Sequence, residues 1–178
     1  AGLITIALNS LASRFVTIKI YENDMHGANV YFSSVFIANL ILMVIMGIAG
    51  GLLIIFLENL IDLPGNLYWD VKILFSCLFL NCLIGTIGSV FSISTFATNK
   101  LYINSIRQIE SNILRLVILV PLFLLFQPRV SYLGISALVM GMYVFLFNIY
   151  YTKKLLPDIH LKLSYFRIKA VISLIASG

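Results

Sequence analysis

Residues 33–57 read SSVFIANLILMVIMGIAGGLLIIFL, twenty-five residues without a charge. A bilayer core about 30 Å thick, crossed at 1.5 Å per residue, takes roughly 20 apolar residues, so the stretch has the length and chemistry of a membrane span. Working outward, the uncharged run between His26 and Glu58 holds 31 residues. Two more runs follow, 27 residues from Ile73 to Asn99 and 23 from Val130 to Thr152, while Ser111 to Pro128 is broken only by Arg115. Ala1 to Ser13 is also uncharged but too short to cross. The expectation is an all-α polytopic transmembrane bundle. It has a partial helix over 1–20, spans at about 30–57, 71–97, 105–127 and 130–152, and an amphipathic inner segment with the start of a further span over 153–178.

Composition agrees. Of the 178 residues, 61% are apolar and 11% charged, against roughly 45–50% and 25% in soluble domains. Disorder, a disulfide-stapled secreted module and an ordinary cytosolic enzyme all fit poorly. The chain starts inside an apolar helix without Met and stops as AVISLIASG (170–178) opens another, so it is expected to be an excerpt of a longer protein.

Orientation follows from the basic residues. Alternate loops carry Arg14, Lys19, Lys100, Arg107, Arg115, Lys153, Lys154, Lys162, Arg167 and Lys169, and the intervening loops carry Lys72 and Arg129 alone. The positive-inside rule puts the richer set in the cytoplasm, and attraction to anionic lipid explains the net charge of +5 without nucleic acid. Outside, Pro64-Gly65 supplies a turn and Tyr68 and Trp69 interfacial anchors; inside, Asp24 is placed to cap a helix. The segment KKLLPDIHLKLSYFRIK suits an amphipathic stretch lying on the surface.

On helical wheels each span has one polar or small stripe. The third span groups Asn81, Gly85, Gly88, Ser92, Thr95 and Asn99. The fourth groups Asn104, Gln108, Ser111, Asn112 and Arg115, and the fifth Gly134, Ala137, Gly141, Asn148 and Thr152. The partial helix has Gly2, Thr5, Asn9 and Ser13, and the second a weaker row of Asn39, Met43, Met46 and Gly50. Two readings compete. Small residues allow close helix packing, for which Gly47-x-x-x-Gly51 and Ala137-x-x-x-Gly141 are candidates. Asn81, Asn112, Asn148 and Arg115 instead ask for partners or water and favour a shared hydrated cavity.

Arg115 carries two readings of its own. A helix beginning near Ser111 lets it snorkel out, whereas one beginning near Asn104 sets it roughly 16 Å deep. There an unpaired Arg costs about 2.5–3.5 kcal/mol even on the lenient insertion scale, which points to an anion contact. Arg107 and Glu110 are expected to form a surface pair at i,i+3. Pro121 is expected to bend its helix, and Cys77 and Cys82 read as buried free thiols. His26 and His160 lack ligand spacing, so no metal site, cofactor or catalytic set is expected.

Several segments resemble bacterial oligosaccharide flippases. They are Ser13-Arg14-Phe15-Val16-Thr17-Ile18 with Asn23-Asp24 and Ala28-Asn29-x-x-Phe32, and Gly88-Ser89-Val90-Phe91-Ser92 with Thr95-Phe96 and Asn99. Ile113-Leu114-Arg115, Tyr132-Leu133-Gly134-Ile135 and Tyr150-Tyr151-Thr152-Lys153-Lys154-Leu155-x-Pro157 continue the likeness in order. The resemblance is to Wzx-type members of the multidrug/oligosaccharidyl-lipid/polysaccharide exporter superfamily, from the second to the sixth helix of a MATE-like first lobe. It implies two six-helix lobes around a cationic cavity in the bacterial inner membrane, with the first helix and second lobe outside this chain. It also implies non-enzymatic flipping of an undecaprenyl-diphosphate-linked oligosaccharide for O-antigen, capsule or exopolysaccharide assembly, coupled to H+ or Na+. In that reading Asn81, Asn112 and Asn148 meet sugar hydroxyls, and Arg14 and Arg115 meet negative charge. A drug/cation antiporter of the same superfamily is the alternative, disfavoured by the lack of Asp or Glu in a confident span. A membrane-embedded polymerase or acyltransferase is a more distant one, with Glu58, Asp62 and Asp70 as its candidate groups.

Overall fold

The structure is a computed structural model that describes the backbone over 2–57 and 67–176 and the side chains over 5–57 and 67–174. The Pro64-Gly65 turn, Glu58 and Asp62 lie outside the described residues. In order come α1 (Gly2–Tyr21), α2 (Met25–Ile55), α3 (Tyr68–Phe91), a short α4 (Ile93–Ala97), α5 (Tyr102–Leu125), α6 (Ser131–Leu155), a 3-10 turn (Leu163–Tyr165) and α7 (Ile168–Ala176). Among the described residues, four helical stretches are long and apolar enough to cross a membrane: Met25–Ile55, Tyr68–Ala97, Tyr102–Leu125 and Ser131–Leu155. The chain is an all-α, multi-pass membrane protein.

Helix ends differ from the uncharged runs for local reasons. The second helix starts at Met25, ahead of the expected 30, because the Asp24 carboxylate accepts the Gly27 N–H at 2.8 Å. The last full span continues through Lys153 and Lys154 to Leu155, since cations suit the negative end of a helix. The turns after α1 and α4 share one solution. Asn23 and Asn99 adopt left-handed φ of 56° and 54°, which lets Asp24 N–H reach the Lys19 carbonyl and Lys100 N–H the Thr95 carbonyl. The fifth helix runs on through Pro121 to Leu125.

The bundle is arranged as α1 and α2 beside α3, then α6, with α5 packed chiefly on α6. Its core gathers at the basic end, where Ala12, Val16, Ala28, Phe32, Val35, Val90, Phe91, Ile93 and Leu174 are buried together. Phe91 is its hub, with ring centroids 6.2, 5.9 and 6.1 Å from Phe32, Phe36 and Phe145. Toward the other end, Ile41, Ile45, Ile48, Leu52 and Leu124 stay exposed, the outward faces that hydrocarbon covers.

Close approach between α3 and α6 depends on glycine. A Cβ on Gly134 would lie 2.9 Å from the Leu74 carbonyl oxygen and 3.0 Å from its Cα, one on Gly141 would overlap the Asn81 amide, and one on Gly88 would press the Phe145 ring at 3.1 Å. The expected Gly47-x-x-x-Gly51 contact is not made: Gly51 faces open space, and Gly50 is the glycine that Phe79 covers. One other expectation is corrected: Cys82 is exposed and Cys77 half-buried, both free thiols. Residues 156–167, the expected amphipathic inner segment, are tied to α2, whose polar side chains capture their backbone. Asn29 accepts the His160 N–H at 2.7 Å, and Ser34 accepts the Arg167 N–H at 3.0 Å.

Candidate functional site

The polar face of α5 is turned to α6. Arg107, Glu110, Ser111 and Arg115 recur at three- and four-residue spacing, so they lie on one side of the helix. Arg107 pairs with Glu110, and its guanidinium also donates to the Tyr143 and Tyr151 hydroxyls, each at 3.4 Å. The same guanidinium lies 4.6 Å from the Phe147 ring centroid. Tyr143 donates its hydroxyl proton to Glu110 at 2.6 Å. The expected surface pair is therefore a bridge between two spans. It also places a carboxylate inside a span, with Glu110 eight residues past Tyr102 and so about 12 Å along the helix.

Arg115 follows one turn later. The helix starts at Tyr102, so Arg115 stands thirteen residues in, about 20 Å along a 24-residue rod. Of the two sequence readings, the early start is the one observed. The side chain is half-buried, and its Nε is buried without a hydrogen-bond partner among the described residues.

The other expected site residues are dispersed. Asn81 packs on Gly141, and Asn148 reaches the Gly88 carbonyl at 3.4 Å, so both amides lie along the α3/α6 contact. Thr152 on the same line donates to the Phe91 carbonyl at 2.9 Å. The stripes of the third and fifth spans thus face one another. Asn112 is exposed on the flank of α5 and Arg14 on α1. Arg115 shares a helix with Asn112, but the structure does not bring the five residues to one place.

A second polar centre lies between α1, α2 and α3. Asn39 is fully buried and donates to the Asn9 amide oxygen at 2.9 Å; Asn9 donates to Ser89 at 2.7 Å, and Ser89 to the Thr86 carbonyl at 2.7 Å. The Asn39 oxygen has no partner among the described residues. The sequence does place Asn9 and Asn39 on polar stripes. That the two stripes meet, with Ser89 as the third member, follows only from how the helices pack.

At the basic end, Lys100, Tyr102, Arg107, Tyr151 and Lys154 line a cavity of about 250 Å³ between α5 and α6. A larger one, about 480 Å³, lies on the other side of α6 and is lined by Phe32, Phe91, Lys153, His160 and Lys162 among others.

Comparison with known proteins gives one informative relative. No protein-family model matches the chain, and no solved structure does. Over 165 residues it is 27% identical to a Bacillus subtilis (strain 168) protein described as "Uncharacterized membrane protein EpsK". The match covers 88% of this chain and 31% of the relative, so the chain spans about a third of that protein's length. A protein described as a membrane protein is therefore similar to this chain over 88% of the chain's own length.

Proposed function

We propose that the chain is part of a Wzx-type, MATE-like transporter of the bacterial inner membrane that flips an undecaprenyl-diphosphate-linked oligosaccharide without chemical conversion. The observation that carries this reading is Arg115: a guanidinium about 20 Å along a membrane-spanning helix, with one buried donor unpaired among the described residues. A polar group kept there against its insertion cost fits a transient anionic partner such as a diphosphate. The glycan headgroup passes through a hydrated cleft between lobes while its lipid tail stays in the bilayer. Asn112, exposed beside Arg115, hydrogen-bonds sugar hydroxyls, Asn81 and Asn148 do so once the α3/α6 contact opens during alternating access, and Arg14, exposed on α1, meets negative charge. The resemblance to lipid-linked oligosaccharide flippases and the similarity to a membrane protein along most of the chain support the assignment. The test is Arg115→Ala in the chromosomal gene. Surface-polysaccharide output is expected to fall at least tenfold at equal protein level, and unchanged output removes the role.

A second reading has an observation of its own. Glu110, hydrogen-bonded by Tyr143 within a span, is the kind of acidic group a drug/cation antiporter of the same superfamily uses. Glu110→Gln separates the two. Loss of proton-driven export of a cationic dye with polysaccharide output intact favours the antiporter, and the reverse pattern favours the flippase.

A further inference from the structure

We infer that the cavity between the basic ends of α5 and α6 binds a phosphate group carried by a lipid of the facing leaflet. Its cations come from three separate elements. Lys100 lies in the turn before α5, Arg107 on the second turn of α5, and Lys154 at the end of α6, all lining the same space. Glu110 offsets one of these charges through Arg107, so the cluster keeps an excess of two. Arg107 also retains a buried Nε without a partner among the described residues. The first residue of α5, Tyr102, lines the cavity, and Leu101 before it supplies no side-chain cap. The positive end of a 24-residue helix therefore adds to the three side chains.

Size and surroundings select the ligand. At about 250 Å³ the space is smaller than a typical pocket for a whole small molecule, and suits a headgroup whose remainder lies outside. The wall is apolar where a chain would leave: Ile103, Ile106 and Leu155 line the cavity, and Ile109 and Ile113 continue exposed along α5 toward the middle of the span. On the neighbouring face Leu146, Phe147 and Tyr150 border a further groove that shares Tyr151 and Lys154. An oxyanion held by lysine and arginine, with hydrocarbon against isoleucine, is the arrangement of a phospholipid or a polyprenyl phosphate. A free phosphate would satisfy the cations alone. Binding here is an equilibrium property and does not depend on the translocation reading.

The experiment uses the purified protein in phosphatidylcholine nanodiscs containing dioleoyl phosphatidic acid, with retained lipid counted by native mass spectrometry. Lys100→Gln with Lys154→Gln is expected to weaken phosphatidic acid retention about thirtyfold. Replacing both lysines by Arg should restore it. Lys153→Gln removes one charge next to Lys154 but in the lining of the other cavity, and should leave it unaltered. Equal losses in Lys153→Gln and the double variant, or no loss in the double variant, overturn the site. Inorganic pyrophosphate supplied as competitor distinguishes the source. Displacement of the lipid, or binding without lipid preference, keeps the phosphate site and in the second case assigns it to a soluble anion. If Arg115→Ala leaves polysaccharide output intact while the lysine pair still governs lipid retention, the role proposed for Arg115 fails and this site stands.

Discussion

Asn9, Asn39 and Ser89 join three helices through neutral groups, whereas Arg107, Glu110 and Arg115 put three charges on a helix that packs chiefly along one side. Asn39, Ser89 and the three charged residues lie inside membrane-spanning stretches, where a polar atom without a partner costs several kcal/mol. The first region answers with a chain of amide and hydroxyl bonds that leaves one oxygen over. The second leaves nitrogens of two guanidiniums over, on a helix much of whose surface is exposed. Amides that satisfy one another are a helix-packing device. Guanidinium nitrogens left without a partner among the described residues, on a helix packed chiefly along one side, oppose folding and persist where function uses them.

That contrast predicts opposite signs for stability and function, and the largest effect falls at Arg115. Replacing it by Leu removes a half-buried charge and is expected to raise the unfolding free energy in mixed micelles by about 1–2 kcal/mol, while surface-polysaccharide output drops more than tenfold. A variant that lost stability yet kept its output would return Arg115 to the scaffold and erase the distinction between the two regions.

Next comes the seam between them. A Cβ at Gly134 meets backbone atoms of Leu74 that cannot rotate away, so Gly134→Val should cost about 2–3 kcal/mol. Gly85, with open space around it, is the control: Gly85→Ala should stabilise by up to about 1 kcal/mol through helix propensity. Equal effects at the two positions would mean that α3 and α6 are not held at the observed distance. In the amide network, Asn39→Ala removes the bond to Asn9 and is expected to cost about 1 kcal/mol, with output preserved in proportion to folded protein.

The spans were legible because charge is sparse and segregated: four uncharged or nearly uncharged runs correspond to the four long apolar stretches observed. Their ends were less so, because Asp24 at one end and Lys153-Lys154 at another extend helices past the apolar run. The depth of Arg115 turned on where α5 begins, and Leu101 and Tyr102 carry no capping signature. Periodicity identifies a face but not its neighbour. Asn81 meets Gly141 sixty residues away, and the glycine that Phe79 covers is Gly50 rather than either member of the Gly47/Gly51 pair. The Arg107–Glu110 spacing suggested a pair, yet Tyr143 and Tyr151, which draw it into α6, belong to a span whose register against α5 is a tertiary fact.

The smallest effect concerns the two basic-end turns, which share a left-handed asparagine but not a cap. At Asn23 the next residue, Asp24, accepts the Gly27 N–H and lies 3.3 Å from the Lys19 amine, whereas α5 starts at Tyr102 with no side-chain cap from Leu101. The Gly27 N–H bond holds the Asp24 carboxyl below its usual pKa, ahead of the help from Lys19. A carboxylate whose native pKa is depressed contributes fully above the ordinary aspartate value and loses its contribution as pH falls through the native one. Amide exchange at Gly27 and Ala28 should therefore show protection that is flat at neutral pH and declines below about pH 4, after correction for intrinsic rates. Asp24→Ala should show the reduced protection at every pH, and exchange in the first turn of α5 should show no such acid dependence. If both turns loosened together on acidification, the difference between the tied and the untied turn would lie elsewhere than in this carboxylate.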